Sequence, residues 1–402
     1  MICIGHSTTH QISIAKWWVE TALLSFDYVN NRYMVGGNNV SLTSTHDVTR
    51  TSDGYFNNIA GVWPLFVPNI ARRTNRGFLT EPSDTNKNEN YNANPTDLTG
   101  LTIGGAGVLS IVDDAAEIHS AGLHNICTSG KVIKAENSGG SNAFLVFAGG
   151  TANTNEHTLS IYARGDAPHI ASLGIADNFG EEITLTTEFN RFELTGTPSA
   201  PNYMYIRVNV GETVYCILNQ LEEGAEASTP IVVSGAPATR ASDQIRADQI
   251  ATTLAGMTRG IIKVHFYFEN VFSGGSYPRF LSITNDTGTE AVQITSDLNA
   301  GLAFILRSNG NAHCINPSPN IMLEGYNIIV LGVFENGDVR VSLNGSPVTG
   351  SSSTPIPVFS SFVAAYVGAS RTGDVDFASI VREIIILDED PTNTRIEELS
   401  IL

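Results

Sequence analysis

The sequence is poor in charged residues, and basic residues are especially scarce. Only 15% of its 402 residues are charged, and 22 Lys and Arg stand against 40 Asp and Glu, for a formal net charge of -18. Nucleic-acid binding needs a basic surface that replaces counterions, and anionic membranes attract the same kind of surface. We therefore expect neither a nucleic-acid partner nor attachment to an anionic membrane. An acidic surface instead keeps a protein that is present in many copies soluble, or collects divalent cations.

Long apolar runs and grouped cysteines are also absent. No apolar run approaches 18 residues, and the first residues lack the basic stretch and the apolar core of a cleaved signal, so we predict no membrane insertion and no secretion by such a signal. Cys3, Cys127, Cys216 and Cys314 are too far apart for a metal-binding spacing or a dense disulfide framework. We therefore expect these cysteines to be reduced and buried.

Recognisable catalytic motifs are missing as well. The chain has no His-Glu-x-x-His, Gly-x-Ser-x-Gly, phosphate loop or Cys-x-x-Cys, which weighs against an enzyme. Neighbouring carboxylates such as Glu222 and Glu223 would point to opposite faces of a strand, so they cannot form the facing pair of a glycosidase. We assign no catalytic residue and no cofactor. Acidic loop residues such as Asp113, Asp374 and Asp376 leave a structural calcium ion open.

The sequence does contain clear hairpin signals. An apolar run from Ile328 to Phe334 breaks at Asn336-Gly337, after which apolar and polar residues alternate as far as Asn344-Gly345. Asn-Gly predicts a type I′ turn, which needs positive φ at both central residues, and the period of two predicts a strand with one buried face. The pattern indicates an antiparallel sheet.

The distribution of strand-like segments predicts the domain organisation. A chain of this length is too long for one ordinary core, and apolar runs separated by turns fill residues 91–235 and 256–402. We predict an all-β protein: two β-sandwich (jelly-roll) domains in tandem after an extended N-terminal anchoring segment, residues 1–90. The small, polar residues 236–255 read as a linker. Short helices are predicted over residues 12–24 and 392–402.

Aromatic side chains supply the candidate binding residues. Flat aromatic faces match the C–H faces of sugar rings, so the glycan-binding candidates are Tyr162, Tyr203 and Tyr205 in the first sandwich and Tyr277, Tyr326 and Tyr366 in the second. Ordinary packing is the alternative for each of them. Trp17, Trp18 and Trp63 all fall in the N-terminal segment, where they are anchoring candidates, with packing against the first sandwich as the alternative.

Three stretches resemble known families. The first comprises Thr49-Arg50-Thr51-Ser52 and Arg76-Gly77-Phe78-Leu79-Thr80-Glu81-Pro82 with Thr85-Asn86. It resembles the N-terminal signature of tailed-bacteriophage virion proteins, where a "TRAS" box precedes an "RGLLIEPARTN" box. This chain departs from the second box at Ser83-Asp84, where the family often has Ala-Arg.

The other two resemblances concern the sandwiches. His157 to Gly165, Leu185 to Thr195 and the close Gln220-Leu221-Glu222-Glu223-Gly224, followed by Thr239 to Asp243, are similar to jelly-roll carbohydrate-binding modules found beside xylanases and in phage fibres. The hairpin at Asn344-Gly345, the strand Ile380 to Leu387 and the terminal Ile396-Glu397-Glu398-Leu399 resemble laminin G-like or concanavalin A-like sandwiches.

These resemblances imply a non-enzymatic bacteriophage virion protein, a head or tail fibre, spike or decoration subunit located in the virion. Its first 90 residues would bind other virion proteins, its sandwiches would face outward for attachment to host surface glycan, and the usual fibre assembly would make it a homotrimer. One alternative is a polysaccharide lyase or depolymerase built on the same sandwiches. Another is a purely structural subunit whose sandwiches bind only neighbouring virion proteins.

Overall fold

The computed structural model describes residues 21–149, 154–176, 180–198, 203–268, 279–296, 302–317, 325–351, 357, 359–369 and 379–401. Strands dominate this part of the chain, and the predicted all-β class is confirmed. Within these residues the strands are accompanied by four helices, α1 (Leu42–Thr45), α2 (Ala115–Ser120), α3 (Asp248–Ala255) and α4 (Asn393–Leu399), and by one 3-10 turn at Phe359–Ser361.

The strands are short and follow one another closely. Those up to residue 113 are β1 (Leu24–Asp27), β2 (Arg32–Val35), β3 (Asn38–Val40), β4 (Asp47–Thr49), β5 (Gly54–Tyr55), β6 (Leu65–Phe66), β7 (Arg73–Thr74), β8 (Gly77–Thr80), β9 (Asp84–Asn86), β10 (Leu101–Ile103) and β11 (Gly107–Asp113). The next are β12 (Lys131–Asn137), β13 (Ala143–Ala148), β14 (His157–Gly165), β15 (His169–Ile175), β16 (Glu182–Leu185), β17 (Asn190–Gly196), β18 (Tyr203–Val208), β19 (Thr213–Glu223), β20 (Ala238–Arg240) and β21 (Gln244–Arg246). The last are β22 (Gly260–Phe268), β23 (Arg279–Thr284), β24 (Ala291–Ser296), β25 (Leu302–Ser308), β26 (Asn311–Ile315), β27 (Gly325–Val333), β28 (Val339–Leu343), β29 (Thr349–Ser351), β30 (Ala364–Val367) and β31 (Ser379–Leu387).

The chain forms two units, one inserted into the other along the sequence. Residues 48–243 make the inserted unit, and residues 1–47 together with 244–402 make the split unit. The predicted tandem order and the predicted boundary at residue 90 differ from this arrangement. The physical reason is long-range pairing: β1 runs antiparallel to β31, with Leu24 opposite Ile386 and Phe26 opposite Ile384.

The inserted unit is a sandwich of two five-stranded sheets. One has the order β10-β13-β18-β15-β16 and the other β11-β12-β19-β14-β17. Leu145 and Ile206 from the first sheet and Leu159 and Ile161 from the second are fully buried in one apolar core. The alternation that predicted Ala143 to Ala148 as a strand is confirmed, since its buried positions alternate with half-buried ones along β13.

The second sheet of the inserted unit is covered on its outward face. A separate apolar cluster on that face contains Tyr162 and Ile217 from the sheet, Ile118 from α2, and Trp63 from the segment before β7. Burial on both faces explains why β14 and β19 read as nearly continuous buried runs.

The split unit is also a sandwich. Its larger sheet has the order β29-β28-β27-β22-β31-β1-β2-β3, and its smaller sheet contains β26-β25-β24-β23-β30-β21. The rings of Phe266 in the larger sheet and Phe280 in the smaller one stack with their centroids 4.0 Å apart. Residues 248–255, predicted as linker, instead form α3, because Ile250, Ala251 and Leu254 provide a buried helical face.

The two predicted terminal helices have different outcomes. Helix α4 matches the predicted C-terminal helix, and Thr392 caps it by accepting a 3.1 Å hydrogen bond from the Arg395 backbone N–H. Ile396 and Leu399 pack on the outward face of the larger sheet. The N-terminal helix predicted over 12–24 lies mostly outside the described residues, and Leu24 already belongs to β1.

The two Asn-Gly turns adopt different geometries. At the first, only Gly337 has positive φ, and the Asn336 side chain accepts a 3.0 Å hydrogen bond from the Asp338 backbone, so the predicted type I′ turn is wrong there. At the second, Asn344 and Gly345 both have positive φ, 51° and 74°, and the Ser346 N–H donates to the Leu343 carbonyl at 2.9 Å. The type I′ turn therefore forms at the second site.

Two further predictions concern membrane-spanning segments and the state of the cysteines. None of the helices described is long and apolar enough to cross a membrane. Cys127 and Cys216 are free and buried as predicted, whereas Cys314 is exposed and its Sγ lies 3.0 Å from Asn316 Oδ1.

Candidate functional site

The outward face of the first sheet of the inserted unit carries half-exposed aromatic and polar side chains. We call it the Tyr203 face, and it consists of the outward-pointing residues of β13, β15, β16 and β18: Phe144, Val146, Ile170, Ser172, Gly174, Glu182, Thr184, Tyr203, Tyr205 and Arg207. Because side chains alternate along a strand, their neighbours Leu145, Leu173 and Ile206 fill the core. Two of the predicted glycan-binding residues, Tyr203 and Tyr205, meet here.

Three aromatic rings form the centre of the Tyr203 face. The Tyr203 and Tyr205 ring centroids lie 6.4 Å apart and are tilted by 41°. Phe144 meets Tyr205 edge-on at 5.6 Å. Phe144 and Tyr203 are half-buried, so each presents part of its ring to solvent. Such rings offer apolar surface to a ligand that also has polar groups.

Tyr205 supports the other rings, since it is itself only 5% exposed. Its side chain lies over Gly174 of the neighbouring strand, where an added Cβ would fall 2.0 Å from Tyr205 Cζ. The Tyr205 hydroxyl hydrogen-bonds the Gly180 backbone, and burial raises the pKa of this phenol. Glycine at position 174 therefore allows the ring to lie flat on the sheet.

Polar groups border the rings. Arg207 approaches the exposed Glu182 at 4.0 Å, and the buried Ser172 lies opposite Arg207 in the sheet. The Asn209 amide donates to the Ile170 carbonyl and fixes the end of β18. Guanidinium, carboxylate and hydroxyl groups beside aromatic surface are the groups that a sugar-binding face uses to orient hydroxyls.

A second aromatic group, the Tyr326 face, lies on the larger sheet of the split unit. It consists of His265, Tyr267, Tyr326 and Arg382. Tyr326 is 42% exposed and meets Tyr267 edge-on at 4.9 Å and His265 at 5.8 Å. A β-bulge beside His265 leaves Arg382 as the extra residue on β31, and its guanidinium lies 4.5 Å from the Tyr326 ring centre. Next to this face, Lys263 and Glu383 form a buried ion pair at 3.1 Å.

Comparison with known proteins leaves the family of the chain open. No protein-family model matches it, and no curated protein matches its sequence. Among solved structures, the CBM40 domain of the Ruminococcus gnavus IT-sialidase bound to alpha2,3 sialyllactose matches 38% of this chain and 86% of its own, at 13% identity and a TM-score of 0.33. Domain 4 of AbnA, a GH43 extracellular arabinanase from Geobacillus stearothermophilus, in complex with arabinotriose, matches 44% of this chain and 83% of its own, at 14% identity and the same TM-score, 0.33. Likenesses this weak say nothing about a ligand of this chain.

The remaining predicted residues do not join either face. Tyr162 and Trp63 are each 7% exposed and pack in the same apolar cluster, so ordinary packing is the better description of both. Tyr366 is half-buried on β30, opposite Arg246, in the other sheet from Tyr326. Trp17, Trp18 and Tyr277 lie outside the described residues.

Residues from the "TRAS" and "RGLLIEPARTN" resemblances meet in a buried ionic cluster. Arg50 donates to Asp243 at 2.8 Å, and Arg72 contacts both Asp243 and Glu81. Arg240 lies 3.4 Å from Glu81, and all five side chains are at most 3% exposed. Burial opposes ionisation of Glu81, but Arg240 and Arg72 outweigh it and lower its pKa to about 2. The cluster excludes solvent and joins the two ends of the inserted unit, which is a structural role.

A second buried carboxyl group behaves differently. Glu222 is fully buried, and burial together with the neighbouring Asp84 carboxylate raises its pKa to about 8. Its carboxyl accepts hydrogen bonds from the Gln220 amide at 2.9 Å and the Ser228 backbone at 3.0 Å. The adjacent Glu223 is exposed and pairs with Lys87 at 2.8 Å, so the two neighbouring carboxylates do point to opposite faces as expected.

Alternating asparagines, which the sequence predictions missed, lock the segment before β10. Asn86, Asn88 and Asn92 each donate to the Asn219 carbonyl at 3.0 to 3.2 Å, and Asn90 exchanges two hydrogen bonds with the Asn219 side chain. All five are fully buried. The period of two in Asn86 to Asn92 was the available signal, because it marks an extended segment with one polar, inward face.

Metal-ligating side chains are not grouped in the part of the chain that the structure describes. This part contains no set of three or more His, Cys, Asp or Glu side chains that could hold a metal ion. Asp113 ends β11 and is exposed, and Asp374 and Asp376 fall outside the described residues, so the calcium hypothesis stays a prediction.

Proposed function

We propose that this chain is a non-enzymatic bacteriophage virion protein whose inserted unit binds glycan on the host surface through the Tyr203 face. The observation that carries the binding proposal is the joint position of Phe144, Tyr203, Arg207 and Glu182 on one outward sheet face. Aromatic surface flanked by a few polar groups suits a ligand with apolar C–H faces and many hydroxyls.

The contrast between the two outward faces of the inserted unit supports this location. Helix α2 and Trp63 cover the face of the second sheet and bury Tyr162. On the first sheet, Tyr203 and Phe144 stay half-exposed and Ile170 is 50% exposed. Partly exposed aromatic and aliphatic residues that share one sheet face are typical of a binding surface.

The virion location rests on the resemblance of the N-terminal boxes, and the buried ionic cluster gives those boxes a shared physical role. In this proposal the protein is a homotrimeric fibre, spike or decoration subunit whose N-terminal residues bind other virion proteins. Several copies on one particle would turn weak sugar contacts into firm attachment through avidity. Sedimentation of the purified chain should then give a mass three times 43.0 kDa, and a monomer would count against the trimer.

A specific observation favours a second candidate function, a polysaccharide lyase. The Tyr326 face brings a histidine, two tyrosines and an arginine together. A lyase needs a base that removes the proton next to the sugar carboxylate and a cation that neutralises this carboxylate, and His265 or a tyrosine with Arg382 would supply them.

One experiment separates these functions. Purified protein is mixed with surface polysaccharide extracted from host cells, and binding, reducing-end release and formation of unsaturated product are measured together. The adhesive function predicts saturable binding without release, and a loss of roughly tenfold or more in affinity for Tyr203→Ala, since truncation of an aromatic residue that anchors a binding surface typically costs about 2 kcal/mol or more. Tyr215→Ala is the matched control, because Tyr215 lies on the other sheet. The guanidinium of Arg164 covers the Tyr215 ring at 3.8 Å from the ring centre.

The other outcomes are equally informative. Unsaturated product that disappears in Arg382→Ala would establish the lyase and overturn the non-enzymatic proposal. Binding that is unchanged in Tyr203→Ala would move the site away from the Tyr203 face.

A further inference from the structure

A small polar cavity lies within the split unit, and its lining shares no residue with the Tyr326 face. Its volume is about 210 Å³, and nine residues line it, all of them polar, from the segment 43–47 and from residues 246–252 around the start of α3. Cavities that hold drug-sized ligands usually measure roughly 300–1,000 Å³ and are mostly apolar. This one has room for a single small ring and a lining that suits hydroxyl groups.

A chain of hydrogen bonds holds one wall of the cavity in place. The Tyr28 hydroxyl lies 2.8 Å from His46 Nε2, and His46 Nδ1 lies 2.8 Å from Thr45 Oγ1. Thr45 Oγ1 donates to the Ser41 carbonyl at 3.1 Å, so it accepts from Nδ1–H, and Nε2 accepts from Tyr28. Both imidazole nitrogens are therefore occupied, and the wall is rigid before any ligand arrives.

The charge of the cavity disfavours an anionic ligand. Burial lowers the pKa of His46 to about 3, so this ring is neutral near pH 7. Arg246 is the one cation in the lining, and its Nε donates to Asp248 at 2.7 Å. Asp47 adds a second carboxylate, which leaves the lining with one net negative charge.

The rest of the lining supplies further polar groups. Gln249 and Thr252 line the cavity from the first turns of α3, Arg246 lines it from β21, and Asp47 lines it from the start of β4. Together these groups offer both donors and acceptors at short range, which is the combination that neighbouring hydroxyls of a ring require.

We propose that this cavity binds one neutral, polyhydroxylated ring, such as a single sugar residue. The size admits one ring, the polar lining excludes an apolar ligand, and the negative balance excludes phosphate and carboxylate groups. The cavity lies in a different unit from the Tyr203 face, so this site can exist whether or not that face binds glycan.

Saturation-transfer NMR on the full chain tests the proposal. The probes are D-glucose, D-galactose and N-acetyl-D-glucosamine, with inorganic phosphate as the anionic comparison. A ring of this size should bind with a dissociation constant in the millimolar range. We expect saturation transfer to at least one sugar, its loss in Thr252→Trp, which fills the cavity, and a severalfold weaker signal in Gln249→Ala. Both positions lie on the surface of α3, and thermal unfolding monitored by circular dichroism verifies that the variants fold.

Matched controls separate this site from the Tyr203 face. Gln244→Ala changes an exposed glutamine of β21 outside the cavity lining and should leave the signal unchanged. A signal that survives Tyr203→Ala and disappears in Thr252→Trp supports the cavity. A signal that disappears only in Tyr203→Ala, no signal with any sugar, or binding of phosphate instead of sugar would each overturn it, and none of these results depends on the host polysaccharide.

Discussion

Substitution of Asp243 by Asn should strongly destabilise the inserted unit. Asp243 is 1% exposed, and its carboxylate accepts from Arg50 at 2.8 Å, from Arg72, and from the Glu81 backbone N–H at 3.0 Å. The Asn side chain has nearly the same shape but carries no charge, and one of its two polar atoms is a donor. The guanidinium groups of Arg50 and Arg72 would therefore lose the negative charge of Asp243 in the buried cluster.

The size of the effect follows from the charged hydrogen bonds that the substitution weakens. A hydrogen bond to a charged partner contributes about 1.5–3 kcal/mol, and two are weakened here. Removing one partner of a buried ion pair typically costs about 3–5 kcal/mol. Because Arg72 keeps Glu81 and Arg50 keeps the Ser52 and Phe66 carbonyls, we expect the lower part of this range, about 3 kcal/mol.

Trp63 provides the assay. It is the one tryptophan in the inserted unit, and it is 7% exposed, so its fluorescence reports unfolding of that unit in a full chain in which Trp17 and Trp18 are changed to Phe. Urea titrations should show a lower midpoint for Asp243→Asn at an unchanged slope. The control is Asp53→Asn, the same exchange at an exposed position, which should change stability by less than about 0.5 kcal/mol. If Asp243→Asn unfolds within about 1 kcal/mol of the parent, the cluster does not hold the unit together as argued.

Other buried groups lead to three further predictions. The pKa of Glu222 is near 4.5 in the unfolded chain and about 8 in the folded one, so the inserted unit should lose up to about 5 kcal/mol of stability as pH rises from 4.5 to 8. Glu222→Gln should remove this loss in urea titrations across that range. The pKa of His46 is lowered from 6.5 to about 3, so the effect of pH has the opposite sign: the stability of the split unit should be highest above pH 6.5 and fall by about 3 kcal/mol by pH 4. His46→Asn should abolish this difference when unfolding is measured at both pH values. Gly174→Ala should displace Tyr205, lower stability by roughly 1–3 kcal/mol in thermal unfolding and weaken glycan binding, because the new methyl group would overlap the Tyr205 ring.

Each of these predictions has a control in the chain. Glu223→Gln removes the neighbouring exposed carboxylate and should leave the slope of stability against pH nearly unchanged. Equal stability of Glu222→Gln and the parent at pH 8 would mean that Glu222 ionises freely. For His46, a parent chain whose split unit is as stable at pH 4 as at pH 6.5 would contradict the assignment. Gly140→Ala adds a methyl group where no atom lies within 4 Å, and a similar cost there would show that the Gly174 effect does not come from Tyr205.

The local patterns of the sequence predicted the strands well. Alternation along Ala143 to Ala148 matches β13, because one buried face imposes a period of two. The apolar runs at Ile261 to Phe268 and Ile380 to Leu387 match β22 and β31, whose residues are buried almost continuously because both faces of these strands are covered. The nested order of the units could not be predicted in this way. It depends on the pairing of Leu24 with Ile386, and neither residue carries a local sign of the other.

The candidate site was predictable only in part, for a related reason. Tyr162 and Tyr203 both stand in strands with aromatic and aliphatic neighbours, and nothing near either one says which outward face will be covered. Burial of Tyr162 is decided by Trp63 and Ile118, which come from distant parts of the chain. Arg382 was missed because a bulge in β31 directs it toward Tyr326, and a bulge leaves little trace in composition.

The contact between Arg50 and Asp243 has a consequence for the evolution of chains with an inserted domain. It brings the third residue of the inserted unit within 2.8 Å of its last residue, so the unit begins and ends at nearly one point. Insertions are tolerated best when their two ends lie close together, since the host chain then needs no rearrangement to accommodate them. In terms of evolution, the position of its two ends is the one that would allow a different domain with the same closing ion pair to be exchanged into this place in the sequence.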